Sequence, residues 1–111
     1  MIEILIKQYL DSYLSVPSFL EYPNDKPQRF VIFEKTSSGK SNHLPSSTFT
    51  FQSYAESMYE SALLNEEVKE VIESMIELDE IRSIKLNSDY NFTDTTTKEY
   101  RYQAVFDIKH Y

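Results

Sequence analysis

The chain of 111 residues contains no cysteine and no tryptophan, a single glycine, and no long hydrophobic run. Without cysteine there is no disulfide framework, no thiolate nucleophile and no cysteine-type zinc site. No apolar stretch approaches the roughly 18–20 residues of a membrane-spanning helix. The first segment carries Glu3 and Asp11 inside its apolar pattern, so we expect no signal peptide and no association with a membrane.

Clustered positive charge is also missing. The chain has 18 acidic and 11 basic residues, for a net charge of −7. Most of the excess acid lies in residues 55–80, where Lys69 is the only base. A protein that binds nucleic acid needs grouped Lys and Arg side chains to displace counterions from phosphates. We therefore expect no direct, sequence-specific binding of nucleic acid.

Apolar residues at helical spacing predict an opening helix. Pro17 ends it, because the residue before a proline is pushed out of the α region. The apolar stripe at a period of 3.6 comprises Ile2, Ile6, Tyr9, Leu10, Tyr13 and Leu14.

A second, acidic helix is predicted from Ser53-Tyr54-Ala55-Glu56, which has the form of a capping box, to about Leu78. Asn65-Glu66-Glu67 resembles another helix start, so a kink near Leu64–Asn65 is the alternative to one continuous helix. The residues predicted to face inward are Met58, Ala62, Val68, Val71, Ile72, Met75 and Ile76. The acidic face comprises Glu56, Glu60, Glu66, Glu67, Glu70, Glu73 and Glu77.

Strands are predicted where β-favouring residues cluster or alternate with polar ones. The segment 29–35 holds four consecutive apolar residues, which indicates a strand covered on both faces. Phe49 and Phe51 lie on the buried side of an alternating strand. The last strand also alternates, and the residues predicted to share one side of it are Tyr100, Tyr102, Ala104, Phe106 and Ile108. The predicted strands are residues 18–22, 29–35, 46–52, 81–92 and 99–111, the last two as the arms of a hairpin.

The element order α-β-β-β-α-β-β predicts a single α+β domain over residues 1–111, with an antiparallel sheet of four to five strands and both helices packed on one face. The second face of the 29–35 strand then needs another cover, and a neighbouring subunit is the simplest candidate. Nine tyrosines and seven phenylalanines agree with an interface, because aromatic residues are enriched at interface cores. The alternative is a small aromatic core around which the first helix wraps.

Motifs for catalysis are weak. Gly39-Lys40-Ser41 resembles the end of a phosphate-binding loop, but Glu34 stands where that motif needs its first glycine. Glutamates four residues apart on the acidic helix could bind a divalent cation, although such pairs more often form a solvated helix face. We therefore predict a protein that is not an enzyme and has no cofactor and no metal site.

Four local features occur in an order that one known family shows. They are the opening helix at 2–14, the strand at 29–35 followed by a polar Ser/Gly loop at 37–43, the strand at 48–51 that runs into the acidic helix, and the closing strand Tyr100-Arg101-Tyr102-x-Ala104-x-Phe106. In this order they resemble the small tail-completion and tail-terminator proteins of long-tailed bacteriophages, which are also described as minor capsid or head-tail joining proteins.

The resemblance implies a structural virion protein that forms a ring, usually a hexamer. The ring caps the finished tail tube and forms the joint to the head connector. Its implied partners are further copies of itself, the tail tube protein and the head connector, in the virion tail or in the host cytoplasm during assembly. Two polar segments are expected to be mobile and to contact partners. Their residues are Ser37, Ser38, Gly39, Lys40, Ser41, Asn42 and His43, and Tyr90, Phe92, Thr93 and Asp94.

The acidic helix allows other interpretations. Carboxylates that line the channel of a ring would repel passing DNA and favour sliding, or they could simply keep an exposed helix soluble. A small adaptor or inhibitor that imitates DNA and binds a basic protein partner is the first rival function. An enzyme with a carboxylate site is the second.

Overall fold

The computed structural model describes residues 2–41 and 44–111 and has the predicted element order. One five-stranded sheet has the strand order β1-β2-β3-β5-β4, and two helices pack on one of its faces. The elements are α1 (Ile2–Tyr13), β1 (Ser18–Phe19), β2 (Phe30–Ser41), β3 (Leu44–Tyr54), α2 (Met58–Ser74), a 3-10 turn (Met75–Glu77), β4 (Ile81–Asn91) and β5 (Arg101–His110).

The predicted sheet was wholly antiparallel, and this is wrong at one edge. The strand β1 runs parallel to β2, with Ser18 beside Val31, and the Val31 N–H donates to the Pro17 carbonyl at 3.0 Å. The segment 20–28 returns the chain to the end of the sheet where β1 begins. The strand β2 therefore starts at the same end as β1 and runs in the same direction. The other three strand pairs are antiparallel, so the sheet is mixed.

Both helices share one hydrophobic core with the sheet face beneath them. The predicted alternation of Phe49 with Phe51, and of Ala104 with Phe106, is confirmed because all four side chains are buried in this core. Burial of each of these phenylalanine side chains stabilises the fold by about 1.5–3 kcal/mol. Tyr13 was placed in the buried stripe of α1, but it is the last helical residue and is 61% exposed.

The second helix begins four residues later than predicted. Ser53 lies in β3, and the N-cap is Ser57, whose hydroxyl accepts a hydrogen bond from the Glu60 N–H at 3.1 Å. The same Ser-x-x-Glu spacing therefore recurs one turn further along the chain, and only the second copy caps a helix. Strand pairing through Tyr54 holds the first copy in the sheet.

The helix α2 is continuous to Ser74, so the alternative of a kink near Asn65 is wrong. Asn65 instead points toward the sheet and donates to the Asp89 carboxylate at 3.2 Å. Met58 and Ile76 were predicted to face inward, but both are exposed: the first lies beyond the sheet, and the second belongs to the 3-10 turn. The buried residues of α2 are Ser61, Leu64, Asn65, Val68 and Ile72.

The polar segment predicted as a loop is mostly strand. Past a bulge between Lys35 and Ser37, the β2–β3 pairing continues as far as Ser41 opposite Leu44. Backbone hydrogen bonds from the partner strand are indifferent to side-chain polarity, which is why this serine-rich stretch can extend the sheet. The predicted contact residues Asn42 and His43 lie outside the described residues.

Candidate docking surfaces

The sheet has an outer face, opposite the helices, on which neither helix packs. In the register of the strands, Gln52 lies between Ile32 and Gln103, and Gln103 lies beside Tyr90. The next row places Val105 beside Thr50. The uncharged centre of the outer face comprises Ile32, Thr50, Gln52, Tyr90, Gln103 and Val105.

A ladder of side-chain hydrogen bonds crosses this face. Arg101 donates to the Tyr54 hydroxyl at 3.2 Å, and Tyr54 donates to Gln52 at 3.2 Å. The Gln52 amide donates to Gln103 at 2.9 Å, and Gln103 donates to Tyr90. The side chains of Gln52, Gln103 and Tyr90 therefore bond to one another, so a partner could cover them without leaving their amide groups unpaired.

An aromatic cluster covers one end of the outer face. The rings of Phe30 and Tyr54 stack with centroids 4.6 Å apart, and the Tyr22 ring packs edge-on against both. Tyr22 also donates a hydrogen bond to Glu99. Part of the cover expected from a neighbouring subunit thus comes from the chain itself, whereas Ile32 stays only partly covered.

The predicted contact residues at the β4–β5 turn lie beside this cluster. The Arg101 guanidinium lies 4.6 Å from the centre of the Phe92 ring and donates to the Phe92 carbonyl at 2.8 Å. Tyr90 and Phe92 remain 43% and 39% exposed. Asp94 accepts hydrogen bonds from the N–H groups after it in the turn, chiefly that of Thr97, and these bonds hold its pKa below the ordinary value.

The β2–β3 arm lies at the opposite end of the sheet. Pairing of β3 with β5 begins only at Ser46, so the last residues of β2 extend beyond the other strands. Because β1 covers only Val31 and Ile32, the edge of β2 from Phe33 onward has no neighbouring strand among the described residues. The described arm residues Ser37, Ser38, Gly39 and Lys40 are exposed. The structure therefore does not bring the two predicted contact segments together.

Most of the predicted acidic face is engaged within the chain. Arg29 pairs with Glu56 at 2.8 Å and with Glu60 at 3.3 Å, and its hydrogen bond holds the pKa of Glu56 below the ordinary value. Lys69 pairs with Glu66 at 2.9 Å.

Two further glutamates tie α2 to the first helix region. Glu67 accepts hydrogen bonds from the Ser15 N–H and hydroxyl, both at 2.8 Å. Tyr9 donates to Glu77 at 2.9 Å, and burial raises the pKa of this tyrosine. Among the residues described, the glutamates of the predicted face that have no hydrogen bond and no ion pair are Glu70 and Glu73.

The solvent side of α2 carries a second surface, the helix ridge, which comprises Tyr59, Leu63, Glu66, Glu70 and Glu73. Tyr59 is 69% and Leu63 is 47% exposed. Neither Tyr59 nor Leu63 was identified as a contact residue from the sequence. The signal was present, because both apolar residues fall outside the periodic stripe of the helix that is buried.

Within residues 2–41 and 44–111, no three His, Asp or Glu side chains are grouped so that they could hold a metal ion. No helix in the same ranges is long and apolar enough to cross a membrane. The chain matches no protein-family model and no curated protein.

Proposed function

We propose that this protein is a structural virion component that forms a hexameric ring on the tail tube of a long-tailed bacteriophage and joins the tube to the head connector. The observation that carries the proposal is the outer face, on which the amides of Gln52 and Gln103 and the Tyr90 hydroxyl bond to one another and Ile32 and Tyr90 stay partly exposed. Interface cores are depleted in charged residues, and a neighbouring subunit could bury this uncharged centre without desolvating charge.

Two other features support assembly. The arm carries exposed backbone beyond the body of the sheet, where it could reach a neighbour or the tail tube protein. The edge of β2 from Phe33 onward is available for pairing with another strand, which is a common way for proteins to associate. The family resemblance of the sequence points to the same role, in the virion tail or in the host cytoplasm during assembly.

The alternative is an acidic adaptor or inhibitor that imitates DNA and binds a basic protein. This function needs a regular array of free carboxylates. Because Glu56, Glu60 and Glu66 form ion pairs within the chain and Glu67 is held by Ser15, the carboxylates of the predicted face do not form a regular free array. The same engagement weakens the hypothesis that the acidic face lines a channel for DNA.

The test is to determine the mass and shape of the assemblies. The purified chain, alone and with any tail tube protein that a flanking gene encodes, would be studied by native mass spectrometry and negative-stain electron microscopy. We expect closed rings, of about 79 kDa for six copies of a 13.1 kDa chain. A strict monomer in both samples that binds a basic protein in a salt-sensitive way would favour the alternative.

A further inference from the structure

Both the helix ridge and the outer face change from uncharged to charged side chains in the same direction along the molecule. On the ridge, the exposed apolar residues Tyr59 and Leu63 precede the unpaired acids Glu70 and Glu73. On the outer face, the uncharged centre gives way to lysines. These are Lys85, which lies opposite Asp107, and Lys109, which lies opposite Ser46 and Ser83.

Contacts between α2 and β4 fix how the two gradients are aligned. Met58, at the start of α2, lies near Asn91, at the end of β4. About two and three turns later, Asn65 and Lys69 both reach Asp89. The helix therefore runs antiparallel to β4, so its acidic end lies at the end of the sheet where the lysines are.

The spacing of the two patterns also agrees. From Tyr59 to Glu73 a helix rises about 21 Å, at 1.5 Å per residue. From Gln103 to Lys109 a strand rises about 20 Å, at 3.3–3.4 Å per residue. The change from apolar to acidic residues on the ridge therefore extends over the same length, and in the same direction, as the change from uncharged to basic residues on the outer face.

The charges at both ends are available. Lys85 and Lys109 have no ion pair among the described residues, and neither has Glu70 or Glu73. The nearest acid on the outer face, Asp107, accepts hydrogen bonds from Thr48 and Asn87. Glu34 also lies on this face, on the β2 side and away from β4.

We propose that copies of this chain pack front to back with their long axes pointing the same way, so that the helix ridge of one copy lies against the outer face of the next. Tyr59 and Leu63 then lie near the neutral centre, and Glu70 and Glu73 lie near Lys85 and Lys109. Two different surfaces meet in this contact, and such a contact gives a ring when the rotation from one copy to the next closes on itself and an open filament when it does not. The inference rests on the proposed ring and specifies its interface.

The first test reverses charge on each surface separately. The front variant carries Glu70→Lys and Glu73→Lys, and the back variant carries Lys85→Glu and Lys109→Glu. Each variant places like charges in every contact, so we expect its assembly to weaken at least about tenfold. In a 1:1 mixture every contact regains opposite charges if the two variants alternate, so rings with equal numbers of each should return.

A matched control reverses two exposed acids elsewhere, with Glu21→Lys and Asp25→Lys in the segment 20–28. This control has the same change in net charge as the front variant, and its rings should persist. Circular dichroism shows that each variant is folded. Rings from the front or back variant alone, or a mixture of folded variants that stays monomeric, would overturn the interface.

The second test uses the absence of cysteine. A chain with Leu63→Cys and Ser88→Cys carries one thiol on the ridge and one on the outer face, beside Val105. Under mild oxidation we expect a ladder of disulfide-linked oligomers. A chain with Leu63→Cys and Ser12→Cys carries both thiols on the helix layer and should give no ladder.

The outcomes separate the two proposals. If the unmodified chain forms no ring, alone or with the tail tube protein, the ring function fails and the interface fails with it. If rings form but mixing rescues nothing and the ridge-to-face cysteines do not link, the ring function stands and the front-to-back interface is wrong.

Discussion

Lys98 is held in a backbone conformation that suits glycine. Its φ is 57°, the only positive value among the described residues that are not glycine, and it closes the four-residue turn between Asp94 and Glu99. The left-handed region costs a residue with a Cβ about 1–2 kcal/mol. Glycine avoids this cost but loses more conformational entropy on folding, so we expect Lys98→Gly to raise the free energy of unfolding by only about 0.5–1 kcal/mol in urea titrations. Thr97→Gly is the control and should lower it.

Asn65 tests a buried polar contact. Its side chain is 2% exposed, and it donates to Asp89 while its own carbonyl oxygen has no partner. Asn65→Asp would face one carboxylate with another in a buried place, so we expect a loss of about 2–3 kcal/mol of stability. Asn87→Asp is the matched control, because Asn87 donates to Asp107 at an exposed position, and its loss should stay below about 1 kcal/mol. Equal losses in thermal unfolding would contradict this account.

Asp94 should make stability depend on pH. The turn N–H groups lower its pKa from an ordinary value of 3.8. Its contribution is therefore complete above that value and disappears as the pH falls through the lower pKa of the folded state. We expect Asp94→Asn to be less stable than the unmodified chain near neutral pH and equally stable in strong acid, as measured by urea midpoints across the acid range. A difference that stays constant with pH would show that the charge contributes nothing.

At the scale of elements, the start of α2 gives a paired prediction. Ser57→Ala removes the N-cap hydrogen bond to Glu60 and should cost about 1 kcal/mol. Ser53 is buried in β3 and its hydroxyl has no partner, so Ser53→Ala should be neutral or stabilising. Chemical denaturation of both variants decides between the two capping sites. A larger cost at Ser53 would return the helix start to the position that the sequence predicts.

This junction also shows what sequence could and could not predict. The periodicity of α1 and the alternation of β5 are local, and both were predicted correctly. The choice between the two Ser-x-x-Glu motifs is not local, because it depends on Tyr54 pairing with Phe30 and Arg101, which are distant in sequence.

The same reason explains the errors at the docking surfaces. The strand at Ser37–Ser41 forms because β3 offers backbone partners, and nothing in its own polar composition signals this. The ladder through Gln52 and Gln103 joins residues about fifty positions apart, so it is visible only after the sheet is assembled. Sequence composition correctly located the acidic helix, but it could not show which of its carboxylates other side chains would engage.

At the scale of the whole molecule, charge is divided between two faces of a body that measures 43 × 25 × 23 Å. The unpaired acids of the ridge repel one another in a monomer whose net charge is −7. In the proposed front-to-back ring the same acids would face the lysines of a neighbour. The division of charge would then cost the free chain some stability and favour the assembled state.

Salt should consequently act with opposite signs on the monomer and on the ring. Screening of the unpaired ridge acids Glu70 and Glu73 should raise the free energy of unfolding of the monomer, since the Debye length falls from about 10 Å at 0.1 M to about 3 Å at 1 M salt. The same screening removes attraction between neighbours, so the dissociation constant of the ring should rise over that range. Analytical ultracentrifugation and urea titration at matched salt concentrations measure the two effects. A ring that tightens with salt would mean that Tyr59, Leu63 and the neutral centre dominate the contact and that the facing charges do not.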